Sequence, residues 1–349
     1  MTGREATLKD IVAETGIPLN TVSRILAGRI VRIGAKTRRR IEVVQEAARR
    51  LGYRPHVGAR TMRSGRHGCI ALISGTDRRG TFLPSELLDG IQERLEAAGL
   101  VLHLFRMAED RLTDPGYLPD AMLNRSCDGV LINHLIRLPE DLVRRIGSAN
   151  LPAIWINHDG PQVGARPDDR AAGRMAAQVL LDAGHRRIAF AAGFPLDGMR
   201  HGSTAERLAG VREACRRRAT VRVVAPTVKP PDRDAGAFWD AVLADRVSRP
   251  SGVVCYSSSD ALYLAWAAQR AGLAVPADLS IVAIGELSTF RVYPVDPTTV
   301  LLPWQQVGHA AVDLLVARIA GRQAASIAAM PTLHPGSTIA CPRACRSPS

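Results

Sequence analysis

The first residues whose types and spacing could do chemistry lie between positions 16 and 28, in the stretch GIPLNTVSRILAG. Val22, Ile25 and Leu26 follow the spacing of one apolar helix face, and Pro18 suits the first turn. The opposite face carries no acid: Leu19, Asn20, Thr21, Ser23 and Arg24. Such a face meets no repulsion from phosphates, and its Asn and Arg side chains can bind base edges. The stretch therefore predicts a helix that reads DNA.

The positive charge of the chain is concentrated at its N-terminus. The net charge is +13, and residues 1–67 carry 15 Lys and Arg against 5 Asp and Glu, a net charge of +10, which leaves +3 for all other residues. A basic segment beside a nearly neutral body indicates that the segment binds a polyanion. Together with the acid-free helix face, it makes double-stranded DNA the predicted partner.

Two further helices are predicted around this stretch. The first begins at Thr7, where Asp10 completes a partial capping box, and it breaks at Gly16. The third runs through KTRRRIEVVQEAARRLG and ends near Gly52. Two short helices joined at a glycine turn and braced by a third form a helix-turn-helix, whose second helix lies in the major groove.

The pattern changes at Cys69, where short apolar runs begin to alternate with amphipathic helices. CIALIS, LVLHLF, DGVLIN, RIAFAAG and LSIVAIG are examples of the predicted strands, and SELLDGIQERLEAAG is one of the helices. This alternation is typical of parallel sheets in an α/β fold. About nine or ten such units exceed one small sheet, so we expect two Rossmann-like lobes.

No motif for catalysis or for metal binding is found in the sequence. GxSxG, a P-loop, HExxH and a GxGxxG that opens a helix are all missing. Of the six cysteines only Cys341 and Cys345 lie close together, without CxxC spacing. The N-terminus MTGREATLKD has no apolar region of a signal peptide. We therefore expect a cytoplasmic protein with reduced thiols, without a cofactor or a metal, and not an enzyme.

Three functions are compatible with this architecture. The first is a ligand-responsive transcriptional repressor that binds DNA as a homodimer. The second is a sugar-binding protein of the periplasmic type, which would need a signal peptide and no basic head. The third is a metabolic enzyme on a Rossmann-like scaffold, which would need catalytic residues that the sequence does not offer. The basic helix-turn-helix head favours the first.

The sequence resembles the LacI/GalR family of transcriptional regulators. The segments ATLKDIVAETGIPLNTVSRILAG and AKTRRRIEVVQEAARRLGYRPHVGARTMRSGR are similar to the family's N-terminus. DDRAAGRMAAQVLLDAGHRRIAFAAG, AERLAGVREA, VPADLSIVAIG and DPTTVLLPWQQVG are similar to its core. The resemblance implies an N-terminal three-helix head, a hinge, and a two-lobed core of the type I periplasmic-binding-protein kind that binds an effector.

The resemblance also implies which residues contact DNA. The family's hinge folds on specific DNA and inserts an apolar side chain into the minor groove, and Met62 stands at that position where leucine is usual. The DNA-binding residues expected on this basis are Thr7, Leu19, Asn20, Thr21, Ser23, Arg24, Arg29, Tyr53, His56, Ala59, Arg60 and Met62.

For the effector site the resemblance implies a cleft between the lobes. Arg207 stands where the family's arginine before Leu-Ala-Gly contacts the small molecule, and a guanidinium can bind sugar hydroxyls or a carboxylate. The full set of expected effector contacts is Phe82, Asn157, His201, Ser203, Arg207, Ser259 and Glu286. A sugar or related metabolite is the expected effector.

Several positions depart from the family pattern. Gly34 replaces the serine that usually caps the third helix, and His56 replaces the hinge asparagine. Gly285 stands where the family usually has a ligand-binding carboxylate, with Glu286 as a neighbour that could compensate. Pro231 stands near the aromatic residue that usually stacks on the effector. These changes indicate an altered effector site.

The predicted domain boundaries follow from these segments. We expect a helix-turn-helix domain at 1–54, a hinge at 55–67, an effector-binding and dimerisation core at 68–340, and a tail at 341–349. The chain is expected to cross between the lobes near 160, 288 and 325. The C-terminal segment TIACPRACRSPS has no leucine heptads, which favours a homodimer over a tetramer.

Overall fold

The computed structural model describes residues 6–26, 34–53, 66–75, 83–134, 138–158, 160–196, 201–227, 235–244, 249–287 and 296–342. Six of the predicted site residues lie outside these ranges: Arg29, His56, Ala59, Arg60, Met62 and Phe82. Pro231 also lies outside them. The chain divides into two compact units, Met1–Gly68 and Cys69–Ser349.

The first unit contains three helices: α1 (Leu8–Thr15), α2 (Leu19–Leu26) and α3 (Ala35–Arg50). At the start of α1 the backbone N–H and the hydroxyl of Thr7 both donate to the Asp10 carboxylate, each at 2.7 Å. Gly16 ends this helix in the left-handed region, with φ at 66°, which a glycine adopts without steric cost. The helices pack around Ile11, Val22 and Val44, which are fully buried.

The second unit contains two six-stranded sheets, each the centre of one lobe. The first sheet has the order β11-β5-β4-β3-β1-β2 and is parallel throughout. Its strands are β1 (Cys69–Gly75), β2 (Val101–Met107), β3 (Gly129–Asn133), β4 (Ala153–Ile156), β5 (Gly164–Pro167) and β11 (Ile327–Ala329). Its helices are α4 (Ser85–Ala97), α5 (Asp120–Leu123), α6 (Glu140–Ser148) and α11 (Trp304–Ile319).

The second sheet has the order β12-β10-β9-β8-β6-β7, and only β12 runs antiparallel to its neighbour. Its strands are β6 (Arg187–Ala191), β7 (Thr220–Val224), β8 (Gly252–Cys255), β9 (Ser280–Gly285), β10 (Thr298–Leu301) and β12 (Thr332–His334). Its helices are α7 (Asp169–Asp182), α8 (Ser203–Cys215), α9 (Ala235–Ala244) and α10 (Ser258–Arg270). The central strands β8 and β9 are buried along their whole length, as parallel strands covered on both faces should be. The predicted α/β fold with two lobes is confirmed.

The chain crosses between the lobes three times. The crossovers lie between Pro167 and Asp169, between Leu301 and Trp304, and between Ala329 and Thr332. All three come later than the predicted positions near 160, 288 and 325. The difference is greatest at the second, because β10 still pairs with β9 in the second sheet before the chain leaves that lobe.

Glycines allow two helix pairs to approach closely. A Cβ at Gly90 in α4 would overlap the carbonyl oxygen of Gln305 in α11. A Cβ at Gly173 in α7 would overlap the carbonyl oxygen of Arg207 in α8, and one at Gly210 would overlap that of Arg170. The second contact fixes the position of Arg207 against the start of α7. In the described part of the chain, no helix is long and apolar enough to cross a membrane.

Candidate DNA-reading helix and effector cleft

The helix α2 presents two different faces. Val22 and Ile25 are 0% and 6% exposed and face the core of the first unit. On the other side Leu19, Asn20 and Arg24 are exposed, and Thr21 and Ser23 are half-buried. The exposed face thus has the donors and acceptors that the sequence predicts, and the helix carries no acid in its first turn.

Two other predicted DNA contacts lie outside α2, at the ends of the other two helices of the unit. Thr7 is half-buried at the start of α1, where its hydrogen bonds hold Asp10. Tyr53 is half-buried against the core of the same unit, and its backbone N–H donates to the carbonyl oxygen of Ala48 at 2.9 Å. Both positions remain proposed contacts.

In the second unit, two of the predicted effector residues lie at the carboxyl ends of parallel strands. Asn157 follows β4, and Glu286 follows β9. In open α/β sheets ligands bind at this edge. Tyr256 directly follows β8 at the same kind of position, and the strand pattern could have indicated it although the sequence analysis did not single it out.

Arg207 is the most strongly buried charge among these residues. Its side chain is 7% exposed, and its Nε donates to Oδ1 of Asp169 at 2.8 Å. Its Nη1 donates to the carbonyl oxygen of Tyr256 at 2.6 Å, and the guanidinium lies 4.4 Å from the centre of the Tyr256 ring. Burial of a charge is tolerated when it is paired and hydrogen-bonded in this way. Asp169 therefore compensates the charge of Arg207.

A chain of hydrogen bonds connects three of the predicted residues. His201 Nε2 lies 2.6 Å from the carbonyl oxygen of Asn157, and Nδ1 lies 2.8 Å from the hydroxyl of Ser203. The Ser203 hydroxyl lies 2.9 Å from that of Tyr256. Asn157 has φ at 52°, a left-handed conformation that asparagine adopts more readily than most residues. The structure thus brings Asn157, His201, Ser203 and Arg207 into one network through Tyr256.

Two carboxyl groups near this network have shifted protonation. Burial raises the pKa of Asp260 to about 6, although the carboxylate accepts hydrogen bonds from Ser257 and from the backbone N–H of Gly193. Burial, and then the charge of Glu86, raise the pKa of Glu286, whereas Arg207 lowers it. Burial thus outweighs the attraction of Arg207 at Glu286.

The remaining predicted positions are arranged differently. Ser259 is exposed at the start of α10, whereas its neighbour Asp260 is buried. A Cβ at Gly285 would lie 2.8 Å from the hydroxyl oxygen of Ser258, which donates to the backbone oxygen of Glu286. A carboxylate residue at Gly285 would therefore require Ser258 to move. Among the described residues, no group of His, Cys, Asp and Glu side chains could hold a metal ion.

The comparisons with known proteins agree with this arrangement. The sequence profile of a periplasmic binding protein-like domain matches residues 177–339. The HTH-type transcriptional regulator CelR of Thermobifida fusca is 30% identical over 341 residues, which cover 91% of this chain and 93% of CelR. The HTH-type transcriptional repressor PurR of Proteus mirabilis (strain HI4320) is 27% identical, with 91% and 92% covered.

Two solved structures share the fold over almost the whole chain. The lac repressor dimer bound to operator and the anti-inducer ONPF is 21% identical with a TM-score of 0.75, and 97% of this chain and 100% of that chain are covered. The complex of the transcriptional regulator CelR with cellobiose is 23% identical with a TM-score of 0.62, with 96% and 100% covered.

A helix-turn-helix unit and a two-lobed core whose lobes share a buried polar network define a transcriptional regulator of the kind that couples DNA binding to a small molecule. The chain belongs to the LacI family of transcriptional regulators.

Proposed function

We propose that the chain is a repressor whose binding to operator DNA is modulated by a small molecule in the core cleft. The single observation that carries the proposal is the acid-free exposed face of α2, which combines Asn20, Arg24 and Leu19 on a helix anchored by buried Val22 and Ile25. The names of the relatives support regulation rather than catalysis. Since DNA is its partner, we place the protein in the cytoplasm.

We further propose the domain division given by the sequence: head 1–54, hinge 55–67, core 68–340 and tail 341–349. In this division Met62 is the minor-groove wedge of the hinge, and its neighbours His56, Ala59 and Arg60 contact DNA with it. The head then supplies base contacts through Asn20, Thr21 and Ser23 of α2, and Arg29 is a further proposed contact.

The effector in this proposal is a sugar or related metabolite. Support comes from the buried Arg207, which after its bonds to Asp169 and Tyr256 still has N–H donors to offer, and from the carboxyl groups of Asp260 and Glu286. Hydroxyl groups pair well with such a mixture of donors and acceptors. CelR bound to cellobiose is a relative of this chain with a sugar ligand. Phe82, Asn157, His201, Ser203 and Ser259 complete the proposed contacts.

The experiment that tests this function is selection of bound DNA from a random pool with the full chain, repeated with a panel of metabolites. A defined DNA sequence should be enriched, and at least one metabolite should change how much of that DNA the protein retains. Asn20→Ala should relax the sequence preference. Arg39 is an exposed residue on α3, and Arg39→Ala should weaken binding to all DNA sequences equally, as loss of a phosphate contact would. Recovery of no preferred sequence by the unaltered chain would contradict the proposal.

We also propose that the chain acts as a homodimer, as the lac repressor neighbour does. Strand β2 is an edge of its sheet, and its Val101 and Leu104 are 56% and 66% exposed. Exposed apolar side chains on an edge strand are commonly covered by another chain. Leu104→Glu should produce monomers in sedimentation, and Met330→Glu, beside the opposite sheet edge and 57% exposed, should remain a dimer. A dimeric Leu104→Glu would place the interface elsewhere.

A further inference from the structure

His201 has both ring nitrogens engaged by the protein itself. Nε2 lies 2.6 Å from the carbonyl oxygen of Asn157. Nδ1 lies 2.8 Å from the hydroxyl oxygen of Ser203 and accepts from the Ser203 backbone N–H at 3.2 Å. A residue expected to contact an effector therefore already has two protein partners.

The partners fix the direction of these hydrogen bonds. A carbonyl oxygen can only accept, so Nε2 of His201 carries the proton, and a backbone N–H can only donate, so Nδ1 is the acceptor. The Ser203 hydroxyl can then donate to Nδ1 and accept from the hydroxyl of Tyr256 at 2.9 Å. Each group in this series donates to the next, from Tyr256 through Ser203 and His201 to the carbonyl oxygen of Asn157. Every polar group in the series therefore has a hydrogen-bond partner.

This chain of bonds joins the two lobes. Asn157 follows β4 of the first sheet, whereas Ser203 begins α8 and Tyr256 follows β8, both in the second lobe. Asn157 and Ser203 are 8% and 4% exposed, so water competes weakly for these bonds. Through the Tyr256 ring and carbonyl, the same chain reaches Arg207.

We propose that His201 is an intramolecular ligand of the core, which joins the lobes through these hydrogen bonds and which the effector displaces. The part of the proposal that concerns the effector rests on the proposed function. A group that replaces the imidazole must donate to the Asn157 carbonyl and accept from Ser203. A hydroxyl does both, whereas a carboxylate cannot donate and an ammonium cannot accept. The displacing group is therefore neutral and carries both a donor and an acceptor, as hydroxyl groups and amides do.

The chain offers a matched control in His185. Its Nδ1 lies 2.9 Å from the hydroxyl of Ser251, and its Nε2 lies 3.0 Å from the carbonyl oxygen of Ala340. The partners have the same chemistry as those of His201, and the residue is 1% exposed. Both partners adjoin strands of the second sheet, Ser251 beside β8 and Ala340 hydrogen-bonded to Ser280 at the start of β9, so this histidine does not join the lobes.

The test uses the full chain with His201→Ala and His185→Ala, and free imidazole as the probe. Small-angle X-ray scattering measures the radius of gyration, and titration measures affinity for the selected operator. His201→Ala should enlarge the radius and shift operator affinity roughly 5- to 10-fold, the effect of about one net hydrogen bond. Millimolar imidazole should reverse both changes. His185→Ala should keep the radius of the unaltered chain with and without imidazole.

Two results overturn the proposal: an unchanged radius in His201→Ala, or an enlarged radius that imidazole does not reduce. If His201→Ala does not fold, Tyr256→Phe removes the hydroxyl at the far end of the chain of bonds and keeps the ring over Arg207. An unaltered radius and operator affinity in Tyr256→Phe then overturn it. The scattering measurement needs no DNA, so a chain that fails to select any operator refutes the proposed function and leaves this test intact.

Discussion

The buried ion pair of Arg207 and Asp169 gives the sharpest prediction about the core. Replacing Arg207 with Met keeps much of the side-chain volume and leaves the Asp169 carboxylate, 4% exposed, without its counter-charge. Removal of one partner from a buried pair costs about 3–5 kcal/mol of unfolding free energy. The carbonyl oxygen of Tyr256 also loses its donor, so we expect the upper part of that range.

The pair should behave as a coupled unit. Asp169→Asn in the Arg207→Met background removes the uncompensated charge, and the remaining cost is that of an imperfectly bonded amide, about 1–3 kcal/mol. The double variant should therefore be more stable than Arg207→Met alone. For two independent residues the second substitution would add its own cost instead.

Urea unfolding followed by tryptophan fluorescence measures these differences. All four tryptophans, at positions 155, 239, 266 and 304, lie in the Cys69–Ser349 unit, so the signal reports on the core and not on the head. A loss below about 1 kcal/mol in Arg207→Met would refute the reasoning. A double variant no more stable than Arg207→Met would do the same.

The result also bears on the effector site. Any substitution of Arg207 removes its N–H donors and also lowers the stability of the core. Loss of the response to a metabolite in such a variant therefore has two explanations. Only the comparison with Asp169→Asn, which keeps the guanidinium, separates contact with the effector from support of the cleft.

Three further predictions concern the head, the helix packing and the pH dependence. Asn20→Ala should reduce discrimination at one operator position by about 1–3 kcal/mol, measured by competition between operator variants, and an unchanged ranking would show that Asn20 reads no base. Gly90→Ala should lower the urea midpoint of the core because the added Cβ meets the carbonyl oxygen of Gln305. Gly147 has open space around it, so Gly147→Ala should raise the midpoint slightly. Equal effects of the two substitutions would contradict the packing described. Burial raises the pKa of Asp260 from 3.8 to about 6, so ionisation of this carboxyl group disfavours the folded state. The protonated group contributes stability below pH 3.8, and this contribution is lost as the pH rises to about 6. The free energy of unfolding lost in this window is on the order of 3 kcal/mol. Asp260→Asn should remove this part of the pH dependence in urea midpoints measured from pH 4 to 7, and an unchanged slope would argue against it.

Much of the fold could be predicted from the sequence because its signals are local. The alternation of apolar runs and amphipathic helices predicts two parallel sheets, and both are present. The N-cap of α1 at Thr7 and its C-cap at Gly16 follow from capping chemistry within a few residues. Strand β10 shows the limit: its short sequence TTVL does not reveal which of two similar sheets it joins, so the second crossover was expected too early.

The details of the cleft depend on contacts between distant segments. The resemblance implies Arg207, but its pairing with Asp169 requires the close approach of α7 and α8 at Gly173. The engagement of both His201 nitrogens requires β4 of one lobe to meet the start of α8 of the other. Neither is visible in a local pattern, because partners 38 and 44 residues apart are brought together only by the sheets.

The three crossovers have a consequence for the order of events during synthesis. The first lobe takes its last strand, β11, from residues 327–329, and the second takes β12 from residues 332–334. Neither sheet can be completed until nearly the whole chain has left the ribosome, whereas the three helices before residue 51 are local and can form at once. A message truncated shortly before codon 327 would therefore yield a folded DNA-reading head on a core in which both lobes lack a strand. Such a product could occupy operators without responding to any metabolite, so cells that carry it should show dominant loss of regulation.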